Sequence, residues 1–114
     1  MIISRTGQTQ WTNKHETLTL SVSNIFDLGN NNSGNVLNDY NDATKGIQGI
    51  IQQAIDSGTE LRVLGGEWSW TKITATTGIL LNTKPLNLSF NISQNNVSPN
   101  YQQTPADLYF VQCG

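Results

Sequence analysis

The stretch with the clearest chemical potential is Leu61 to Trp70, LRVLGGEWSW, in which an apolar run meets two glycines and then a Trp-Ser-Trp cluster. Gly65 and Gly66 have no side chains to shield their amide N–H groups, and successive bare amides in a turn form a concavity that receives an anion. Trp68 and Trp70 add flat apolar surface with an N–H donor, the kind of wall that holds a planar ligand. The same residues also suit an architectural role, a tight strand-end turn with two tryptophans plugging the core beneath it. Elsewhere the chemistry is sparse. His15 is the only histidine and Cys113 the only cysteine. An internal disulfide or a His/Cys metal set is therefore not expected, and a hydrolase reading of His15 finds no nucleophile at a meaningful spacing. The carboxylates form no spaced pair suited to acid–base work.

The elements that must position the glycine turn begin with a helix. Ile47, Ile50, Ile51, Ala54 and Ile55 recur on one helical face, Asn41, Asp42 or Thr44 is placed to cap its start, and Gly58 to end it in the left-handed conformation. Gly46 and Gly49 each weaken a helix by about 1 kcal/mol relative to alanine, which predicts a close approach to a sheet. A short extended segment, Asn35 to Tyr40, precedes the helix and a strand, Glu60 to Leu64, follows it. Strand, helix, strand in this form predicts a right-handed crossover between parallel strands. LRVLGG then lies at the carboxyl end of a parallel strand, the edge at which open α/β sheets bind ligands.

Upstream, Trp11 to Leu28 alternates through Leu18, Leu20 and Val22, as a half-exposed strand or extended arm would, and Gly29 to Asn35 is a loop by composition. Residues 1–34 thus read as an N-terminal arm and loop, and residues 35–114 as the body. Downstream, Gly78 to Thr83 reads as a buried strand. Lys84 and Pro85 break the chain, and Leu86 to Ile92 alternates as a strand with one wet face. Residues 93–107 form a long Asn/Gln/Pro-rich loop, and Leu108 to Gln112 is a final strand whose composition predicts burial.

With 114 residues the chain forms one domain with a modest core, and its polar load falls on Asn, Gln, Ser and Thr because charged residues are only 12%. The expected class is α+β, rich in strands and loops. A net charge of −2 without a basic stripe argues against nucleic acid as a partner. MIISRTGQTQ lacks the apolar run of a signal peptide and no segment reaches membrane-spanning length, so no membrane partner and a cytoplasmic location are expected. The sequons at Asn31, Asn87, Asn91 and Asn96 carry no weight in so Asn-rich a chain.

Taken together, the helix, LRVLGGEWSW, a polar spacer, GILLNTKPLN and LYFVQCG resemble the opening of the FAD-binding domain of the vanillyl-alcohol oxidase and p-cresol methylhydroxylase (PCMH-type) family, over about residues 35 to 114. In that family an Arg-Val-x-Gly-x-Gly-His-Ser type of stretch wraps the FAD pyrophosphate. Arg62, Val63, Gly65, Gly66 and Ser69 match it. Leu80 to Asn87 resembles the apolar strand that follows, and Trp11 and Asn13 look like the family's start. The resemblance implies FAD as cofactor, held through Gly65, Gly66, Glu67, Trp68 and Ser69. It also implies a first flavin subdomain of β-α-β form with additional strands, within an enzyme that moves a hydride from an alcohol carbon to flavin N5. Trp68 replaces the histidine that many members bond covalently to flavin, so attachment there would be noncovalent. Glu67 replaces a small residue, and its carboxylate must point away from a diphosphate or pair with a cation such as Lys72. Family members are several times longer, which implies that the chain is an N-terminal fragment completed by a C-terminal half or a partner chain. The alternative is a non-catalytic structural or interaction module that keeps the strand-helix-strand body and uses exposed edges.

Overall fold

A computed structural model describes residues 2–66 and 72–113. The chain is α+β, with a four-stranded mixed sheet, a long helix on one face and a β-hairpin on the other. In chain order the elements are β1 (Ile3–Arg5), β2 (Gln10–Thr12), β3 (Thr19–Ser21), β4 (Asn24–Leu28), α1 (Val36–Ser57), β5 (Leu61–Leu64), β6 (Ile79–Asn82), β7 (Ser89–Asn91) and β8 (Tyr109–Val111). The sheet order is β1-β4-β6-β5. β4, β6 and β5 run parallel and β1 is antiparallel to β4.

The sheet corrects the expected strand-helix-strand unit. Its first strand is β4, not residues 35–40, and the helix connects β4 to β5 across the position that β6 fills. Residues expected as an arm therefore supply two of the four sheet strands, and the sheet does not divide from its neighbours at residue 34. Asn35 to Tyr40 are the N-cap and first turns of α1. The Asn35 side chain accepts from the Asn38 N–H at 3.0 Å, and Asp39 accepts from Ser33 N–H, satisfying backbone donors around the helix start and placing negative charge in its first turn. Those bonds move the start upstream of Asn41, Asp42 and Thr44. Gly58 ends α1 as expected, at φ 62°, with its N–H directed to Ala54 and Ile55 carbonyls.

β6 is central, and ILLN packs on both sheet faces, which explains why it is a continuous apolar run rather than an alternating one. Leu81, Ile79, Phe26 and Leu28 meet Ile50 and Ala54 of α1. Leu80, Ile25 and Leu64 meet Trp11 and Val22 on the opposite face. Gly46 allows the close approach of helix and sheet: a Cβ there would lie 2.5 Å from Ile2 Cγ2 and 3.3 Å from Leu28 Cδ1. Gly49 faces open space and has no such contact. A side chain at Gly78 would collide with the Glu60 carbonyl, so glycine lets β6 start tight beside β5.

The β2–β3 hairpin is turned by Asn13, whose Oδ1 accepts from Thr17 and Leu18 N–H while its Nδ2 donates to Thr17 Oγ1. β7 and β8 form a separate antiparallel ribbon. The alternation expected for residues 86–92 is present, although the hydrogen-bonded strand is only Ser89–Asn91. Burial of the last strand is not found, because Tyr109 is 67% exposed and Val111 lies open as well. The ribbon is held instead by aromatic contacts. Phe90 stacks on Phe110 at 4.9 Å, and Tyr40 of α1 meets Phe110 edge-on at 5.8 Å.

A candidate ligand cleft at the carboxyl ends of the parallel strands

The pleat dictates which residues reach the cleft. In β4, Asn24, Phe26 and Leu28 share the helix side, which leaves Ile25 and Asp27 for the hairpin side. Their partners in β6 are Leu80 and Asn82, and Asp27 also pairs with Ser4 of β1. Arg62 and Leu64 of β5 fall in the same two rows, opposite Leu80 and Asn82. The first row, Ile25 and Leu80, lies in the cluster with Trp11 and Val22. The second row, Ser4, Asp27, Asn82 and Leu64, lies nearer the carboxyl ends and borders a cleft of about 480 Å³. Thr6, Gln8 and Trp11 complete its walls, and Arg5 borders it although its register opposite Phe26 belongs to the helix-side row.

Polar residues in the middle of a sheet need partners, and these have them. Asn82 Nδ2 donates to Asp27 Oδ1 at 2.8 Å, and Asn82 Oδ1 accepts from the Lys84 N–H at 3.1 Å. The side chain of Asn82 is thereby oriented, with its amide toward Asp27. The wall is fixed by Thr6, whose N–H and hydroxyl both donate to the Ile25 carbonyl, and by Gln8 N–H donating to Thr6 Oγ1. On the far side Thr83 donates to the Leu64 carbonyl through both its N–H and its hydroxyl. The strand end is thus held where the chain enters Gly65 and Gly66.

Of the five residues expected to hold a diphosphate, Gly65 and Gly66 directly follow the cleft residue Leu64. Gly66 is exposed and Gly65 half-buried. Glu67, Trp68 and Ser69 lie outside the described residues, as do Trp70 and the side chain of Lys72. His15 is in the connection between β2 and β3, half-buried. Cys113 is exposed and free. Among the described residues no group of His, Cys, Asp and Glu is arranged to hold a metal ion, and no helix is long and apolar enough to cross a membrane.

Sequence reasoning passed over Ser4, Arg5, Asp27 and Asn82. A signal for two of them was present: Asp27 in NIFDL and Asn82 in GILLN are polar residues at inward positions of otherwise apolar strands. Glu60, just before β5, is held below the usual carboxylate range by a hydrogen bond from Arg62 Nε at 2.9 Å, by Thr76, and by the Arg62 charge.

Comparison with protein-family models, with curated proteins and with solved structures found no match.

Proposed function

We propose that the chain holds flavin adenine dinucleotide at the carboxyl edge of its parallel strands, as the first flavin subdomain of a PCMH-type, FAD-linked oxidoreductase acting on an alcohol-type substrate. The observation that supports this reading is the meeting of a polar cleft with the Gly65-Gly66 bend at the place where open α/β sheets bind nucleotides. The residues present fit part of the cofactor. The cleft volume falls within the ~300–1,000 Å³ usual for ligand sites. Arg5 borders the cleft from the helix-side row of β1, and its guanidinium fork would match phosphate oxygens brought to that edge. Ser4, Asn82 and Asp27 provide donors and acceptors matched to ribose or ribityl hydroxyls.

The division of labour follows from charge. Arg5 and the Gly65 and Gly66 amides attract the diphosphate. Asp27, held by Asn82, repels it and accepts from hydroxyls, so the pair orients the molecule along the sheet edge. Trp11 closes one wall of the cleft against water. When bound, the flavin supplies a two-electron acceptor for hydride. No residue of this chain is assigned to the hydride step, and its part is binding and orientation.

Incubation with FAD followed by gel filtration tests the reading. Flavin absorbance is expected to co-elute with the protein, and Arg5→Gln is expected to weaken retention by about tenfold, as loss of one charge-assisted contact does. A colourless protein that leaves flavin fluorescence unchanged overturns it.

A further inference from the structure

β5 is the outer strand of the sheet, and among the described residues its backbone is only half used. The Glu60 carbonyl accepts from Ile79 N–H at 2.8 Å and the Leu64 carbonyl from Thr83 N–H at 2.9 Å. In a parallel ladder alternate residues bond to the same neighbour. Glu60, Arg62 and Leu64 therefore face β6, whereas Leu61 and Val63 direct their N–H and C=O groups to the open edge. Sheet edges are commonly guarded by lysine, proline or a bulge. ELRVL, residues 60–64, contains neither residue, and its pairing with β6 runs without a bulge.

The surroundings of this edge are apolar on one face and charged on the other. On the helix face Val63 is 53% exposed, Ile51 44% and Ile55 65%. Ile51, Ile55 and Leu61 border an open trough of about 540 Å³. On the opposite face Glu60 and Arg62 stand half-exposed, paired with each other at 2.9 Å. The chain also exposes more surface than its mass predicts, 7494 Å² for 12.5 kDa. A folded monomer of that mass exposes about 6,200 Å². The surplus exceeds the ~800 Å² that each partner buries in a standard interface.

We propose that a second copy of this chain pairs along the edge, β5 antiparallel to β5 about a two-fold axis, extending the sheet across both copies. Charge selects the register. Three symmetric alignments place the edge-facing Leu61 and Val63 in hydrogen-bonded positions. Centring on Arg62 sets it against the partner's Arg62, and like charges directly opposite are destabilising. Centring on Val63 sets Arg62 against the partner's Leu64. Centring on Leu61 sets Glu60 against the partner's Arg62, and two-fold symmetry repeats that pair. This third register also puts Val63 opposite the partner's Thr59 on the helix face, beside the trough. The inference is independent of the flavin reading.

Sedimentation velocity of the full chain over a concentration series provides the test, with far-ultraviolet circular dichroism as the check on folding. The wild type is expected to show a concentration-dependent dimer. Val63→Lys, at a half-exposed position, is expected to give folded monomer. Glu60→Arg and Arg62→Glu, each alone, oppose like charges twice and are expected to weaken the dimer roughly tenfold or more. Mixing those two variants in equal amounts is expected to restore it as a heterodimer, because one copy then carries arginine at both positions and the other carries glutamate at both. An intrachain role for the pair cannot produce that recovery. A wild type that stays monomeric at every concentration overturns the proposal, and so does a dimer that survives Val63→Lys or a mixture that fails to recover.

Discussion

Asp27 and Asn82 sit side by side where parity assigns buried positions, and their value lies in what they leave available rather than in what they stabilise. Joined at 2.8 Å, they satisfy part of each other's hydrogen-bonding capacity. Replacing both members of such a pair by apolar residues of similar size is nearly neutral for folding. The double variant Asp27→Leu/Asn82→Leu is therefore expected to unfold in urea within about 1 kcal/mol of the wild type while losing flavin retention on gel filtration. Loss of both properties together would assign the pair to architecture. Glu60 offers a second residue-scale test. Its folded-state pKa is depressed, chiefly by the Arg62 hydrogen bond. Its contribution to stability is therefore fully present above the ordinary carboxylate pKa and drains away as pH falls through the lowered folded value. Arg62→Gln is expected to return the Glu60 midpoint toward the ordinary value, read by NMR titration of its carboxyl carbon. The pair is solvent-exposed, so the accompanying change in stability is small.

Among the elements, α1 separates two glycines that look alike in sequence. Gly49 faces open space, and Gly49→Ala is expected to stabilise the protein by about 1 kcal/mol through helix propensity alone. At Gly46 the same methyl group meets Ile2 and Leu28, and overpacking of that kind costs roughly 1–3 kcal/mol. Gly46→Ala is expected to be neutral to destabilising, so chemical denaturation should place Gly49→Ala above the wild type and Gly46→Ala at or below it. The helix's apolar stripe was legible from Ile47 to Ile55, and so was its glycine terminus. Its start was not. Asn35 and Asn41 are equally good caps as residue types, and only the bond from Asn38 N–H to Asn35 Oδ1 distinguishes them. The stripe is also wider than the surface that covers it. Ile50 and Ala54 are buried against the sheet, while Ile51 and Ile55 look out over the β5 edge.

For the molecule as a whole, β6 is the element on which both cores depend. Leu80 belongs to the hairpin-side cluster and Leu81 to the helix-side cluster, and both are essentially inaccessible. Leu→Ala at such sites costs about 2–5 kcal/mol. That is a large share of the ~5–15 kcal/mol that stabilises a domain. Each substitution is expected to lower the urea midpoint, and tryptophan fluorescence and helix circular dichroism should shift together because one strand serves both faces. Separate transitions for the two probes would show that hairpin and helix fold independently. The molecule is also drawn out, with a radius of gyration of 17.1 Å and a long axis of 50 Å. A globular chain of this length has about 13 Å. This open shape accompanies the exposed β5 edge and the β7–β8 ribbon, which is attached through Tyr40 and Phe110.

Local pattern alone determined the helix body and its Gly58 terminus, the buried character of GILLNT and the one-sided alternation of LNLSFNI. Each of these follows from periodicity or from the backbone freedom of glycine, properties carried within a few consecutive residues. Only the tertiary structure decided that β4, not residues 35–40, opens the crossover, that β6 inserts between β4 and β5, and that Ser4, Arg5, Asp27 and Asn82 meet at one cleft. Strand order and side-chain convergence arise from pairings between residues as far apart as Ser4 and Asp27 or Asp27 and Asn82. Local periodicity contains no term for those pairings. The glycine turn with which LRVLGG ends is therefore half explained by its own residues, and the cleft bordered by the preceding Leu64 is built from four other strands.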